Sequence, residues 1–175
     1  MAIAWLTPVN LIFDGNSTSD LTTGTTAQPV ATGASGLLLP RFVSLKAQRA
    51  NVRIGPTRQH DVAWTFTRSG LPVEIIAESE NWRRIRDSGG NEGWIFHSLL
   101  SGERTVQYDP WQTDVPGTLR SQPDANGEIA AYVENRAALK VMNCDGEWCR
   151  VSARGTQGHI RQEHLWGVYP GEAIE

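Results

Sequence analysis

The sequence predicts an all-β protein: two tandem small barrels preceded by a flexible N-terminal segment. Three observations predict it. In the stretch E-N-W-R-R-I-R-D-S-G-G-N-E-G-W-I (residues 80–95), Trp82, Arg84 and Arg86 alternate with Arg83, Ile85 and Asp87, the period of two that belongs to a strand. Ser88-Gly89-Gly90-Asn91 then supplies hairpin-loop residues before Gly93-Trp94-Ile95-Phe96 opens a second strand. A closely similar pattern, E-W-C-R-V-S-A-R-G-T-Q-G-H-I, returns about 65 residues later at 147–160. No helix of useful length is legible anywhere, and short strands at this spacing describe small, strongly bent barrels.

Taken in order, residues 1–13 are apolar but interrupted by Thr7, Pro8 and Asn10, and no Lys or Arg precedes Arg41, so the basic start of a secretory signal is missing, and an unrecognised signal and a plain tail both stay open. Residues 14–36 are Thr, Ser, Gly, Ala and Pro with almost no large apolar side chains, which predicts a flexible linker. Order is expected from about Leu37. Arg41-Phe42-Val43-Ser44-Leu45 alternates as a first strand. Ala50-Asn51-Val52-Arg53-Ile54 runs into a Gly-Pro turn, and Val62-Ala63-Trp64-Thr65-Phe66-Thr67 and Val73-Glu74-Ile75-Ile76-Ala77 follow. The 80–95 hairpin completes the set, closing at Leu99-Leu100. The expected boundaries are a flexible segment over 1–40, a first barrel over 41–104, a link over 105–116 with Pro110, Trp111 and Pro116, and a second barrel over 117–170.

The net charge of −3 gives no general reason to expect nucleic acid. Residues 41–104 carry +3 and residues 105–175 carry −4, a modest asymmetry of solvated surface. No run of eighteen apolar residues exists, so no membrane span is expected.

The second copy overlays the first in separate blocks. Leu119-Arg120-Ser121-Gln122-Pro123 stands for Val52-Arg53-Ile54-Gly55-Pro56, and Leu139-Lys140-Val141 for Val73-Glu74-Ile75. Trp148 answers Trp82, Arg150-Val151 answer Arg84-Ile85, Gly158-His159-Ile160 answer Gly93-Trp94-Ile95, and Leu165-Trp166-Gly167 answer Leu100-Ser101-Gly102. The series N-V-R-x-G-P, G-L-P-V-E-I-I, W-R-R-I-R and G-W-I resembles a bacterial SH3-like (SH3b) domain. The second half, with C-D-G-E-W-C-R-V and L-W-G-V-Y-P, is similar to the second module of small exported double-SH3 proteins. The resemblance, over roughly 42–169, implies SH3-like barrels and a non-catalytic binding module of the cell envelope, periplasmic or otherwise exported, with peptidoglycan or its peptides as partner. The second copy departs from the pattern, having Gly158-His159 for G-W and no Gly beside Pro123.

The candidate ligand-binding residues are Trp64, Trp82, Arg84 and Trp94 in the first copy and Trp148 and Arg150 in the second. Seven Trp in 175 residues is high usage. Such rings give large contact area at small entropy cost, and Arg beside Trp can stack and hold a carboxylate. The competing reading is that the rings plug cores short of buried area, and that Arg83, Arg84 and Arg86 pair with Glu78, Glu80 and Asp87. Arg53 and Arg120 read as buried stems with heads bonded to backbone carbonyls.

Cys144 and Cys149 flank four residues, so a four-residue loop puts them opposite each other and allows a disulfide, which belongs to an oxidising compartment. Aligning Val141 with Val151 instead requires a three-residue loop, which sends the two side chains to opposite faces unless a bulge intervenes. Two free thiols remain open, as does a zinc set with His159 and His164, although its cysteine spacing is wider than a zinc ribbon's. No catalysis is expected. Cys149 lies mid-strand without a helix N-terminus to lower its pKa, and G-x-S-x-G, G-x-x-x-x-G-K and G-x-G-x-x-G are all absent, so no cofactor is expected either. Two functions stay open: recognition of cell-wall peptide or glycan, and a structural scaffold whose barrels hold a protein partner.

Overall fold

The computed structural model describes residues 31–108, 111 and 116–175. The apolar start at 1–13 and the linker up to residue 30 lie outside the described residues. A short hairpin, β1 (Ala31–Thr32) with β2 (Leu38–Leu39), leads into a seven-stranded sheet. Its strands are β3 (Arg41–Leu45), β4 (Ala50–Arg53), β5 (Val62–Phe66), β6 (Pro72–Ser79), β7 (Trp82–Arg86), β8 (Glu92–Phe96) and β9 (Leu100–Ser101). The second sheet holds β10 (Thr105–Tyr108), β11 (Gly117–Arg120), β12 (Ile129–Val133), β13 (Ala138–Asp145), β14 (Trp148–Ala153), β15 (Thr156–Arg161), β16 (Leu165–Trp166) and β17 (Ala173–Ile174).

The strand orders, β5-β4-β8-β7-β6-β3-β9 and β12-β11-β15-β14-β13-β10-β16, are the same order twice. Alternation sends Val43, Leu45, Val52, Val73, Ile75, Ile85 and Ile95 into one core, and Val106, Leu119, Leu139, Val141, Val151 and Ile160 into the other. The eight-residue strands β6 and β13 each carry a register shift, at Ile76 and Met142, which bends them so that one strand serves two parts of the barrel. Among the described residues no helix is long and apolar enough to cross a membrane.

The shift at Met142 settles the cysteine register. Val141 faces Val151, Asn143 faces Arg150, and Cys144 faces Cys149, so both expected pairings hold at once. The two cysteines form a disulfide with Cα atoms 4.1 Å apart, both buried, which removes their thiolates from any zinc set. Reduction in denaturant followed by a melt is expected to cost the second barrel about 2 kcal/mol, the loop-entropy contribution of so small a ring. An unchanged midpoint would contradict this.

Two boundaries shift from the sequence expectation. Residues 31–39 already form the β1–β2 hairpin, ahead of the start expected near Leu37, because Glu78 of β6 ties it down. That carboxylate accepts hydrogen bonds from the Ser35 backbone N–H (2.7 Å) and hydroxyl (2.8 Å) and from Arg41 (2.6 Å), and pairs with Arg83 at 3.1 Å. Burial pushes this carboxyl up, but Arg41, Ser35 and Arg83 together outweigh it and hold the pKa down to about 2, against an ordinary 4.5. A depressed acid contributes stability that is present above the unfolded value and lost as pH falls through the folded one. Hydrogen exchange in residues 31–39 should therefore quicken as pH is lowered from about 4.5 toward 2, after correction for intrinsic rates. Glu78→Gln should flatten that dependence, and an unaltered profile would remove Glu78 from the account.

The second shift concerns the link. Thr105–Tyr108 is not linker but β10, the counterpart of β3: Val43 pairs with Val73 as Val106 pairs with Leu139. The second barrel thus begins one residue after Arg104, and the two barrels pack closely. Phe42 lies between Trp166 (5.0 Å between centroids) and Tyr169 (4.8 Å). Below it Glu74, 4% exposed, pairs with Arg86 at 3.1 Å and accepts the Tyr169 hydroxyl at 3.0 Å. Ser88 donates to Gln107 across the same seam at 2.8 Å. Burial, and then the Glu74 carboxylate, push the Tyr169 phenol well above its ordinary pKa, so it stays a hydrogen-bond donor.

Candidate functional site: an aromatic and basic cleft on the first barrel

Because Val52, Ile85 and Ile95 point inward, their neighbours on β4, β7 and β8 share the outer face. Register sets them in rows. Arg53, Trp94 and Arg84 form one row, and Trp82 faces Phe96 in the next. At that second row the surface opens into a cleft of about 450 Å³ walled by Trp82 and Phe96 and rimmed by Arg49, Asn51, Arg53 and Arg58. The two rings meet edge to face at 5.5 Å, and the Arg58 guanidinium carbon lies 5.6 Å from the Phe96 centroid.

The charge of this cleft is set by which arginines are already engaged. Arg53 donates to the His60 carbonyl at 2.6 Å, as its counterpart Arg120 does to Gly127 at 2.7 Å, which matches the structural role read from the sequence. The hairpin arginines are all paired: Arg83 with Glu78, Arg84 with Glu92 at 2.9 Å, and Arg86 with both Glu74 and Glu92. Arg49 and Arg58 are exposed and have no acidic partner among the described residues, and no acidic side chain lines the cleft. An aromatic wall with two uncommitted guanidinium groups suits a carboxylate-bearing ligand.

The six candidate residues fall in different places. Trp82 walls the cleft. Trp94 and Arg84 lie on the same face one row away, with Arg84 committed to Glu92. Trp64 is half-buried against the core, with its ring edge over Gly93. Trp148 takes the position of Trp82 in the second barrel, and Arg150 lies one row away, bonded to Gln157 at 2.7 Å. Sequence reasoning missed Arg49, Arg58 and Phe96, which come from separate stretches and meet only through barrel closure. The available signal was the repeat: their counterparts Pro116, Ala125 and Arg161 are all of different chemistry.

A third opening, a groove of about 610 Å³ lined in part by Phe42, Trp111, Leu165, Trp166 and Tyr169, lies along the seam between the barrels. It is more apolar than the cleft, and of its charged members Glu74 pairs with Arg86 and Glu147 with Arg161.

Among solved structures, the chain is similar to NlpC2 from Trichomonas vaginalis at 18% identity, covering 73% of this chain and 48% of that one with a TM-score of 0.31. It is similar also to NlpC1 from Trichomonas vaginalis at 18% identity, covering 81% and 50% with a TM-score of 0.31. The chain therefore spans about half the length of these proteins. A search of curated proteins returns no match. The family model described as "Bacterial SH3 domain" matches twice, over residues 46–102 and 113–167, one match to each barrel, and the chain belongs to the bacterial SH3 domain family.

Proposed function

We propose that this chain is a non-catalytic binding module of the cell envelope, which recognises carboxylate-bearing peptides of peptidoglycan through the first-barrel cleft. The observation that carries this reading is the pair of uncommitted arginines, Arg49 and Arg58, beside the Trp82–Phe96 wall. Stem peptides of the wall present free carboxylates on short aliphatic chains, which fit a guanidinium rim and an aromatic floor. The disulfide supports an exported location, since such bonds persist in oxidising compartments. It also ties up the two cysteines, leaving no thiolate nucleophile.

The reading is tested by titrating soluble stem peptides released from peptidoglycan into the protein by calorimetry. Arg49→Ala and Arg58→Ala should each weaken binding about tenfold, the effect of losing one charge-assisted hydrogen bond of about 1.5 kcal/mol. Their melting midpoints should stay unchanged, because both side chains are exposed. The scaffold alternative draws on the apolar seam groove, and it expects both substitutions to be silent toward every ligand.

A further inference from the structure

We propose that the second barrel keeps the aromatic cleft of the carboxylate site without its free cations, and that its own Arg161 and Glu147 fill it in place of a ligand. This rests on the reading of the first cleft given above. Register fixes the correspondence: Arg53 pairs with Trp94 as Arg120 pairs with His159, and Trp82 faces Phe96 as Trp148 faces Arg161. At the matching place the second barrel has a cleft of about 200 Å³, less than half the volume of the first, lined by Thr118, Arg120, Ala125, Trp148 and Arg161 among others. The two clefts therefore occupy the same place in the barrel, open in the first and filled in the second.

What closes the second is a coupled exchange of two residues. Where the first barrel has Asn81 before Trp82, the second has Glu147 before Trp148, and where the first has Phe96, the second has Arg161. The Arg161 guanidinium carbon lies 5.0 Å from the Trp148 centroid, and its Nη1 donates to Glu147 at 2.9 Å. A guanidinium stacked on the ring and bonded to a carboxylate supplies from within the chain what Arg58 and an incoming carboxylate supply in the first barrel. Arg58 itself is replaced by Ala125, which removes the free cation from the rim. The closure is held by one ring contact and one exposed ion pair, with Glu147 67% exposed, so it is weak enough to be undone by substitution.

The test is nitrogen-15 spectroscopy of the Trp82 and Trp148 indole N–H groups, with acetate as the carboxylate probe. In the wild-type protein acetate should shift Trp82 and leave Trp148 in place. In the triple variant Ala125→Arg, Glu147→Asn, Arg161→Phe, acetate should shift both, and the unchanged Trp82 response reports within the same molecule that the first barrel is intact. Arg161→Phe with Ala125→Arg is the second variant, in case the triple variant does not fold, and should give Trp148 a smaller shift of the same kind, because Glu147 is left on the rim. If Trp82 responds while Trp148 stays still in every folded variant, the inference is overturned and the carboxylate reading survives. A wild-type Trp148 that moves as readily as Trp82 overturns the closure as well. If Trp82 itself ignores acetate, the carboxylate reading falls, and the inference with it.

Discussion

Gly93→Val is expected to unfold the first barrel, and Gly158→Val the second. Both glycines sit where one strand crosses close over another, β8 over β4 and β15 over β11. A Cβ on Gly93 would stand 2.5 Å from Val52 Cγ1, 3.0 Å from the far edge of the Trp64 ring and 3.1 Å from the Arg53 carbonyl oxygen. On Gly158 it would meet Leu119 Cβ at 2.7 Å and the Arg120 carbonyl oxygen at 3.1 Å. Neither glycine has a positive φ, so the cost is steric rather than conformational. The neighbours cannot move aside cheaply. Val52 is fully buried, and β4 is hydrogen-bonded to β5 on one side and β8 on the other. Inserting extra methylenes into a packed core costs roughly 1–3 kcal/mol, and more where backbone must yield. For a barrel of about 60 residues that is most of its stability. Urea melts would decide it, with Gly→Ala as the milder step in each series. A Gly93→Val protein melting like the wild type would show that β8 can lift from β4.

This site also shows what the repeat meant. G-W-I and G-H-I differ at Trp94 and His159, and the sequence invites the view that the aromatic residue defines the motif. The structure assigns the constant role to the glycine, through backbone approach, while the next residue lies on the outer face and is free to change. Much of the fold was legible in this way: period-two alternation set the strands, and the two copies set the architecture. The missing strand β10 was hidden by length. Phe42 precedes Val52 by ten residues, whereas Thr105 precedes Leu119 by fourteen, so the overlay breaks there. The β1–β2 hairpin was illegible for a different reason: Ser35 meets Glu78 across 43 residues, and a Ser/Thr/Gly-rich stretch carries no local mark of such a contact. The ion pairs followed the same logic. Arg84 and Arg86 use Glu92 and Glu74, their cross-strand neighbours, and not Asp87 beside them, because adjacent residues on a strand face opposite ways. The cleft was half legible. Trp82 stands out in any reading, but Arg49 and Arg58 acquire meaning only when barrel closure brings them to its edge and leaves them unpaired.

Phe42→Ala is expected to uncouple the two barrels while sparing the cleft. Strand β3 is buried on both faces: Val43 and Leu45 enter the first core, whereas Phe42, 6% exposed, lies outside both cores and packs on Trp166 and Tyr169 of the other barrel. Truncating a buried Phe costs about 3–5 kcal/mol. Here the loss falls on the seam, and with it go two ring contacts worth about 0.5–1.5 kcal/mol each beyond their area. The seam also shields Glu74, whose carboxylate is matched by Arg86 within its own barrel and by the Tyr169 hydroxyl across the gap. Once the rings part, water can replace that hydroxyl and the Gln107 and Arg136 acceptors used by Ser88 and Arg68, so the polar contacts no longer favour the docked state. The wild-type protein should then melt in one transition and the variant in two, the first barrel's and the second's, as resolved by scanning calorimetry. A single transition at a lower midpoint would mean that the seam is held by the covalent run through Arg104 and its bonds to Glu172 and Gly167 rather than by Phe42. The cleft lies on β4, β7 and β8, so the acetate response of Trp82 should survive in the variant. Survival would place recognition in one barrel alone, and its loss would mean that the docked second barrel helps to shape the site.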